Sequence, residues 1–187
     1  MFAGAGFDVI DATAAGIPET REEEALETAP TFEENALLKA RYFRRVSGMD
    51  AVADDSGIEV RALQGAPGVL SKRWSQRPDL TGQALDDANN ALLLRRLEGA
   101  ADRAARYVCA AAYCGADGEF VVRGDVDGVI TRVARGRGGF GYDPYFESLE
   151  LGRTFGEVTM EEKARVSHRA RAFEKLLSRL EKRVGRG

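Results

Sequence analysis

The amino-acid sequence predicts an α/β fold in a single domain covering residues 1–187. Segments in which apolar and polar residues alternate, as they do in strands, are interspersed with segments whose apolar residues recur at helical spacing. The chain is long enough to bury a proper core, and its 44% hydrophobic and 30% charged residues are an ordinary globular balance. Because we find no internal repeat, low-complexity tract or linker, we expect one domain rather than two.

The first half of the sequence predicts a short strand, a helix and a strand–turn–strand unit. The first strand candidate is Phe7–Ala12. The helix opens at Thr31, with Glu34 in the capping-box position, and stops at Gly48, a residue favoured just after a helix end. "AVADDSGIEVRAL" then predicts a strand, a polar turn over Asp54–Gly57 and a second strand.

The second half predicts two further helical regions and a pair of strands. A Gly/Pro loop over Gln64–Trp74 leads to a helix over Gln83–Leu97. The segments "ARYVCAAAYC" and "GEFVVRGDVDGVITRV" are strands joined by a turn at Ala116–Gly118, and "YDPYF" is short and extended. A second capping box, Thr159 with Glu162, opens "MEEKARV", and "HRARAFEKLLSRLEKR" forms the last helix.

Charge and composition argue against several classes of protein. The net charge of −3 provides no general attraction for nucleic acid or an anionic membrane. The sequence has neither a long apolar run nor a signal peptide, so we expect a cytoplasmic protein that does not enter a membrane. Cys109 and Cys114 should point to opposite faces of a strand and remain unbridged, as in a reducing compartment. His168 is the single histidine, which argues against a zinc cluster or a histidine-based triad.

The loop "RGRGGFGYDPYF" raises the possibility of a nucleotide site. Gly136, Gly138 and Gly141 spell G-x-G-x-x-G, but a dinucleotide fingerprint needs a helix directly afterwards. Pro144 pushes the residue before it out of the helical region, so the dinucleotide hypothesis fails. Two alternatives remain. The loop is either a flexible turn between strands, or a nucleotide site in which aromatic rings stack on a base beside open backbone amides.

Carboxylates in two places are candidates for a metal site. Asp54 and Asp55, followed by Ser56, could bind Mg²⁺ and bridge it to phosphate oxygens, or they could form an ordinary Asp/Ser/Gly turn. Glu27 could be a metal ligand or one of several solvated carboxylates in its acidic segment. Spacing alone does not separate these alternatives.

A basic cluster near the C-terminus is a candidate for binding an anion or a base. Lys163 can supply a point charge to a phosphate, and His168 and Arg169 can present donors at the start of the last helix. The alternative is a basic, solvated helix face.

Four motifs in order indicate a family. From about Phe7 to the C-terminus, the sequence closely resembles the inosine/xanthosine triphosphate pyrophosphatase (Ham1-like) family. The motifs that carry the resemblance are "TFEENALLKA", "ADDSGIEVRALQGAPGVLSKRW", "GGFGYDPYF" and "EEKARVSHRARA". The resemblance implies an elongated two-lobed fold, with a long twisted mixed sheet flanked by helices and a central active-site cleft. It also implies a homodimer that uses Mg²⁺ to hydrolyse dITP, ITP and XTP to the monophosphate and pyrophosphate, which sanitises the nucleotide pool.

The resemblance also assigns roles to individual residues. Asp55 matches the catalytic acceptor that orients or deprotonates the attacking water and contacts the metal. Glu27 matches the second metal carboxylate, and Ser56 a substrate contact. The residues that match the nucleotide-contacting set are Phe140, Gly141, Tyr142, Asp143, Lys163, His168 and Arg169. Of these, Phe140 is expected to pack on the base, and the three basic residues to surround the purine and its 6-oxo group.

The sequence departs from the family pattern at its start. Family members begin with an apolar strand and a Ser/Thr-x-Asn-x-x-Lys loop that grips the triphosphate, and this motif does not occur here. We expect the cause to be a start codon assigned too late. The alternative function is a catalytically impaired purine-nucleotide-binding protein. An RNA- or DNA-binding module conflicts with the acidic balance of the chain.

Overall fold

A computed structural model describes residues 6–17 and 26–184 and has the expected α/β class. The helices are α1 (Phe32–Ser47), α2 (Gly82–Arg96), α3 (Met160–Val166) and α4 (His168–Val184). The strands are β1 (Ala51–Val60), β2 (Pro67–Gly68), β3 (Ala104–Gly115), β4 (Gly118–Ile130), β5 (Phe146–Ser148) and β6 (Arg153–Thr154). They form a six-stranded sheet in the order β2-β1-β3-β4-β5-β6. β1 pairs antiparallel with β2, β4 with β5, and β5 with β6.

The predicted helix ends are confirmed where capping residues define them. The hydroxyl of Thr31 accepts a hydrogen bond from the Glu34 N–H at 3.2 Å, and Gly48 closes α1 in the left-handed region with φ of 70°. Thr159 and Glu162 make both reciprocal bonds of a capping box at the start of α3. These signals work from sequence because each involves residues within one helical turn.

The predicted turn over Asp54–Gly57 is wrong, because β1 runs unbroken through it. Asp/Ser/Gly segments favour turns when their side chains bond to their own backbone. Here Asp55 is instead buried and bonded to Asn35 and Lys39 of α1. Tertiary contacts therefore override the local preference, and the carboxylate lies in the middle of a strand.

Two short strand predictions also fail. No strand forms in Phe7–Ala12, because the Asp11 side chain accepts from the Ala14 N–H at 2.7 Å and begins a turn. In "YDPYF" the backbone turns first, with the Phe146 N–H bonded to the Tyr142 carbonyl at 3.0 Å, and β5 starts only at Phe146.

The chain divides into two compact units, each built from segments distant in sequence. The first unit consists of Met1–Asp55, Cys109–Gly124 and Arg169–Gly187, and the second of Ser56–Val108 and Asp125–His168. The prediction of a single domain over residues 1–187 stays a prediction.

Each unit has its own apolar core. In the first unit, residues of β3 and β4 pack with α4 through Cys109, Ala111, Tyr113, Phe120, Ala172, Leu176 and Leu180. The fully buried members of the second core include Ile58, Leu93, Leu97, Val126 and Phe146. Both cysteines are buried and free, so the expectation that they do not bridge is confirmed. Across residues 6–17 and 26–184, no helix has the length and apolar character needed to span a bilayer.

Candidate active site

Helix α1 assembles a carboxylate cluster in the first unit, formed by Glu27, Asn35, Lys39 and Asp55. Asn35 and Lys39 lie one turn apart on one face of α1. Lys39 Nζ donates to Glu27 Oε1 at 3.1 Å and to Asp55 Oδ1 at 2.9 Å. Asn35 Nδ2 donates to Asp55 Oδ2 at 3.1 Å, so both oxygens of Asp55 are held. The side-chain Oδ1 of Asn35 accepts from the Ala29 N–H, which fixes the backbone that follows Glu27.

The surroundings of Asp55 oppose the negative charge of its carboxylate. Burial raises the pKa of Asp55 above its ordinary value, and the charge of Glu27 adds to this, against the hydrogen bonds from Lys39 and Asn35. Burial opposes the charge of Lys39, yet its bonds and charge interactions with Asp55 and Glu27 raise the pKa of Lys39 overall. A carboxylate with a raised pKa holds an accepted proton more readily, as a general base must.

The carboxylate cluster has the kind of oxygen ligands that could hold a magnesium ion. Oxygens of Glu27 and Asp55 converge on one cationic centre, the Lys39 ammonium, and carboxylate oxygens are the ligands that Mg²⁺ prefers. Among the described residues no group of three or more His, Cys, Asp or Glu side chains could hold a metal. Two carboxylates suffice for this ion, because Mg²⁺ usually completes its coordination with water and substrate phosphates.

Arg169 at the start of α4 is fixed by the other aspartate of the pair. Its Nε and Nη2 both donate to Asp54 Oδ2, at 3.1 and 3.0 Å. Cys109 Sγ lies 3.6 Å from the same oxygen. The two adjacent aspartates thus have different partners: Asp55 meets α1, and Asp54 orients the guanidinium of Arg169.

The second unit contains a different cluster, centred on Asp143. This carboxylate is 1% exposed and accepts from the Tyr107 hydroxyl at 3.1 Å, the Phe140 N–H at 2.9 Å and Lys163 Nζ at 2.5 Å. The ring of Tyr107 stacks on that of His168, with centroids 4.7 Å apart and planes 8° from parallel. Asp143 therefore connects residues of β3, α3 and the glycine loop, and we call these five residues the Asp143 cluster.

The glycine loop presents one aromatic ring outward and keeps another inside. Phe140 is 62% exposed, and Lys163 Nζ lies 4.7 Å from its ring centroid. Tyr142 is 4% exposed and donates its hydroxyl to the Ser71 carbonyl at 2.8 Å. Within this loop Phe140 is suited to stack on a ligand, whereas Tyr142 anchors the loop.

Two glycines of the loop are required by close packing. A Cβ on Gly136 would lie 1.9 Å from the Gly156 carbonyl oxygen, and one on Gly139 would lie 2.0 Å from Asp143 Oδ2. Both also have positive φ, of 77° and 73°. Together with a 2.9 Å bond from the Gly138 N–H to the Gly156 carbonyl, this shows an ordered loop. The loop is therefore not a flexible turn, and the nucleotide-site hypothesis stays a prediction.

The structure brings some of the predicted residues together and places the others only by unit. Glu27 and Asp55 meet through Lys39 in the first unit, and Arg169 belongs to the same unit. The predicted residues of the second unit are Ser56, Phe140, Gly141, Tyr142, Asp143, Lys163 and His168.

Sequence reasoning assigned no role to three residues that organise these clusters. Asn35 and Lys39 lie inside a recognised motif, and their spacing of four residues on a helix was an available signal. Tyr107 lies in a strand, and tyrosine is common in strands in general, so its sequence context did not indicate a role in the site.

Comparisons with known proteins identify the family. The Ham1 family model matches residues 2–179. A dITP/XTP pyrophosphatase from Ralstonia nicotianae is 46% identical over 96% of this chain and 88% of its own length. One from Mycolicibacterium paratuberculosis is 52% identical over 85% of this chain and 77% of its own. The structure of a HAM1 protein from Coxiella burnetii aligns with a TM-score of 0.81 and 36% identity, covering 94% of this chain and 86% of its own. The chain therefore belongs to the Ham1 family.

Proposed function

We propose that this chain hydrolyses dITP, ITP and XTP to the nucleoside monophosphate and pyrophosphate. The observation that carries the proposal is the convergence of Glu27 and Asp55 on one cationic position beside a helix. Relatives that align over most of the chain are named dITP/XTP pyrophosphatases. Their names favour an enzyme over a purine-nucleotide-binding protein without activity.

The carboxylate cluster supports hydrolysis by water. Asp55 accepts a proton from a water molecule as the water oxygen bonds to the α-phosphorus. The bond from that phosphorus to the bridging oxygen breaks, and pyrophosphate leaves with the electron pair. Such a reaction needs in-line placement and neutralised charge more than a protein nucleophile. Mg²⁺ held by Glu27 and Asp55 would bind phosphate oxygens and offset the charge that develops on them.

The recognition residues suit a purine with an oxygen at position 6. Phe140 offers an exposed ring for stacking. The family resemblance implies that His168 and Arg169 donate to the 6-oxo group of hypoxanthine or xanthine. Adenine carries an amino donor there, so donor would face donor. An unpaired buried donor costs about 1–3 kcal/mol, which is enough for strong discrimination.

The remaining parts of the proposal rest on the family resemblance. We propose that Ser56 contacts the substrate, that the protein is a cytoplasmic homodimer, and that its activity sanitises the nucleotide pool. The net charge of −3 provides no general attraction for nucleic acid, which agrees with a small nucleotide as the substrate.

The test is pyrophosphate release from dITP, XTP, dATP and dGTP with Mg²⁺, measured for the wild type and Asp55→Asn. We expect selective release from dITP and XTP, and a loss of about a thousandfold in the variant, which keeps the shape of the side chain but not its basicity. Glu34→Gln, a change at a carboxylate of the same unit that accepts from the Thr31 hydroxyl, is the matched control. Equal release from dATP would contradict the substrate assignment. Stabilisation by ITP without any release would favour the nucleotide-binding protein.

A further inference from the structure

Helix α2 holds both backbone polar groups of Gly141. Asp86 Oδ2 accepts from the Gly141 N–H at 2.7 Å, and Asn90 Nδ2 donates to the Gly141 carbonyl at 2.9 Å. Asp86 and Asn90 are four residues apart, so they lie on one face of the helix. Asn90 Nδ2 also donates to the Asp86 carbonyl, which steadies the amide. We call Asp86 and Asn90 the Gly141 clamp.

The clamp acts where the loop has most freedom. Gly141 has φ of +61°, and nothing lies within 4 Å of the position a Cβ would take. The backbone here is neither restricted by a side chain nor wedged by neighbours. Gly141 directly follows Phe140, so the orientation of its peptide groups helps to set where the exposed ring lies.

Stability alone does not explain an asparagine at position 90. Asn90 is 4% exposed, and its Oδ1 is buried without a hydrogen-bond partner among residues 6–17 and 26–184. An unpaired buried acceptor costs folding free energy, which an apolar side chain of similar size would avoid. What the amide provides is its donor pair to Gly141 and Asp86.

Because there is empty space beside the Gly141 clamp, the conformation of the loop depends on the hydrogen bonds of the clamp. A cavity of ≈ 270 Å³ adjoins the loop, and Asn90, Gly139 and Phe140 contribute to its lining. Packing on that side is therefore incomplete, and hydrogen bonds provide the constraint instead.

We infer that Asp86 and Asn90 are positioning residues for nucleotide recognition, which hold the Gly141 peptide and thereby the Phe140 ring. The inference rests on the proposed function, in which Phe140 stacks on the base. Neither residue needs to touch the substrate. Their loss should weaken binding and leave the hydrolytic step intact.

The test compares KM and kcat for dITP and XTP in Asp86→Ala and Asn90→Leu. We expect KM to rise about tenfold, the effect of losing one charge-assisted bond or of freeing the loop, with kcat within about twofold. Asp86→Asn retains an acceptor and should restore most of the affinity. Asn90→Leu should change the thermal unfolding midpoint little, because removal of the unpaired Oδ1 offsets the lost bond to the Gly141 carbonyl. Asp87→Ala changes the next, exposed residue of α2, whose carboxylate accepts from Gln83, and is the matched control.

Calorimetric titration with dITP in metal-free buffer repeats the comparison without turnover. If the wild type binds dITP but releases no pyrophosphate, the proposed reaction fails while the clamp is still tested. Unchanged affinity in Asp86→Ala and Asn90→Leu would overturn the inference. So would an Asp86→Asn variant as weak as Asp86→Ala, or a fall in kcat and unfolding midpoint without a rise in KM. A wild type that neither binds dITP nor releases pyrophosphate from it with Mg²⁺ would overturn the reaction and the inference together.

Discussion

Each of the two units contains an ion pair between an aspartate and a lysine, and the two pairs have different surroundings. In the first unit Asp55 bonds to Lys39 at 2.9 Å, and in the second Asp143 bonds to Lys163 at 2.5 Å. Lys39 is shared with a second carboxylate, that of Glu27, which lies 3.1 Å away. Burial and the like charge of Glu27 therefore both disfavour the negative charge of Asp55.

Asp143 instead has three hydrogen-bond donors as partners. It accepts from the Tyr107 hydroxyl and the Phe140 N–H as well as the lysine. Lys163 lies against two aromatic rings, those of Phe140 and Phe155. A buried hydrogen-bond network whose members all have partners rigidifies the structure around it. A buried carboxylate whose charge is disfavoured by its surroundings is a candidate for proton transfer. The contrast agrees with the proposal that Asp55 takes part in hydrolysis, while Asp143 holds the glycine loop in place.

The largest effect should appear when each aspartate is removed. Asp143→Ala leaves a buried ammonium and a buried hydroxyl without their acceptor, and should lower the free energy of unfolding by about 3–5 kcal/mol. Asp55→Ala should lower the free energy of unfolding by less, because Lys39 retains its ion pair with Glu27 and because burial already opposes the charge of Asp55. Urea unfolding in metal-free buffer measures both. Equal losses would break the distinction between the two pairs.

A smaller effect is expected when the shared lysine is removed. In Lys39→Met the carboxylates of Glu27 and Asp55 lose their common partner and repel each other, so the base is misplaced. We expect kcat for dITP to fall about 100-fold with little change in KM. Lys175→Met is the control, since Lys175 is bonded to the Arg123 carbonyl on the exposed part of the same unit. A rise in KM with kcat preserved would place Lys39 in substrate binding instead.

The smallest effect concerns pH and tests whether the charge of Asp55 is opposed by burial. The pKa of Asp55 is raised from 3.8, so between 3.8 and the raised pKa the folded chain binds more protons than the unfolded chain. Stability from this group therefore increases as pH falls through that window. In metal-free buffer, the free energy of unfolding of the wild type minus that of Asp55→Asn should increase as the pH falls from about 7 to about 4. A shift the other way would indicate that the bond to Lys39 outweighs burial.

The sequence by itself determined the features that depend on neighbouring residues. The ends of α1 and α3 follow from Thr31, Gly48, Thr159 and Glu162, because a cap bonds within one turn. The order of four motifs indicated the family, which the Ham1 match over residues 2–179 confirms. The same motifs supplied the candidate site residues, although their individual roles stay predictions.

Only the tertiary structure decided which side chains hold those residues in place. Asp54–Gly57 has the composition of a turn, yet α1 bonds to Asp55 and the segment remains strand. Tyr107 lies 36 residues from Asp143 in the chain, and Asn90 lies 51 from Gly141. No local pattern records such contacts, because they form when distant segments pack and their buried polar groups must find partners.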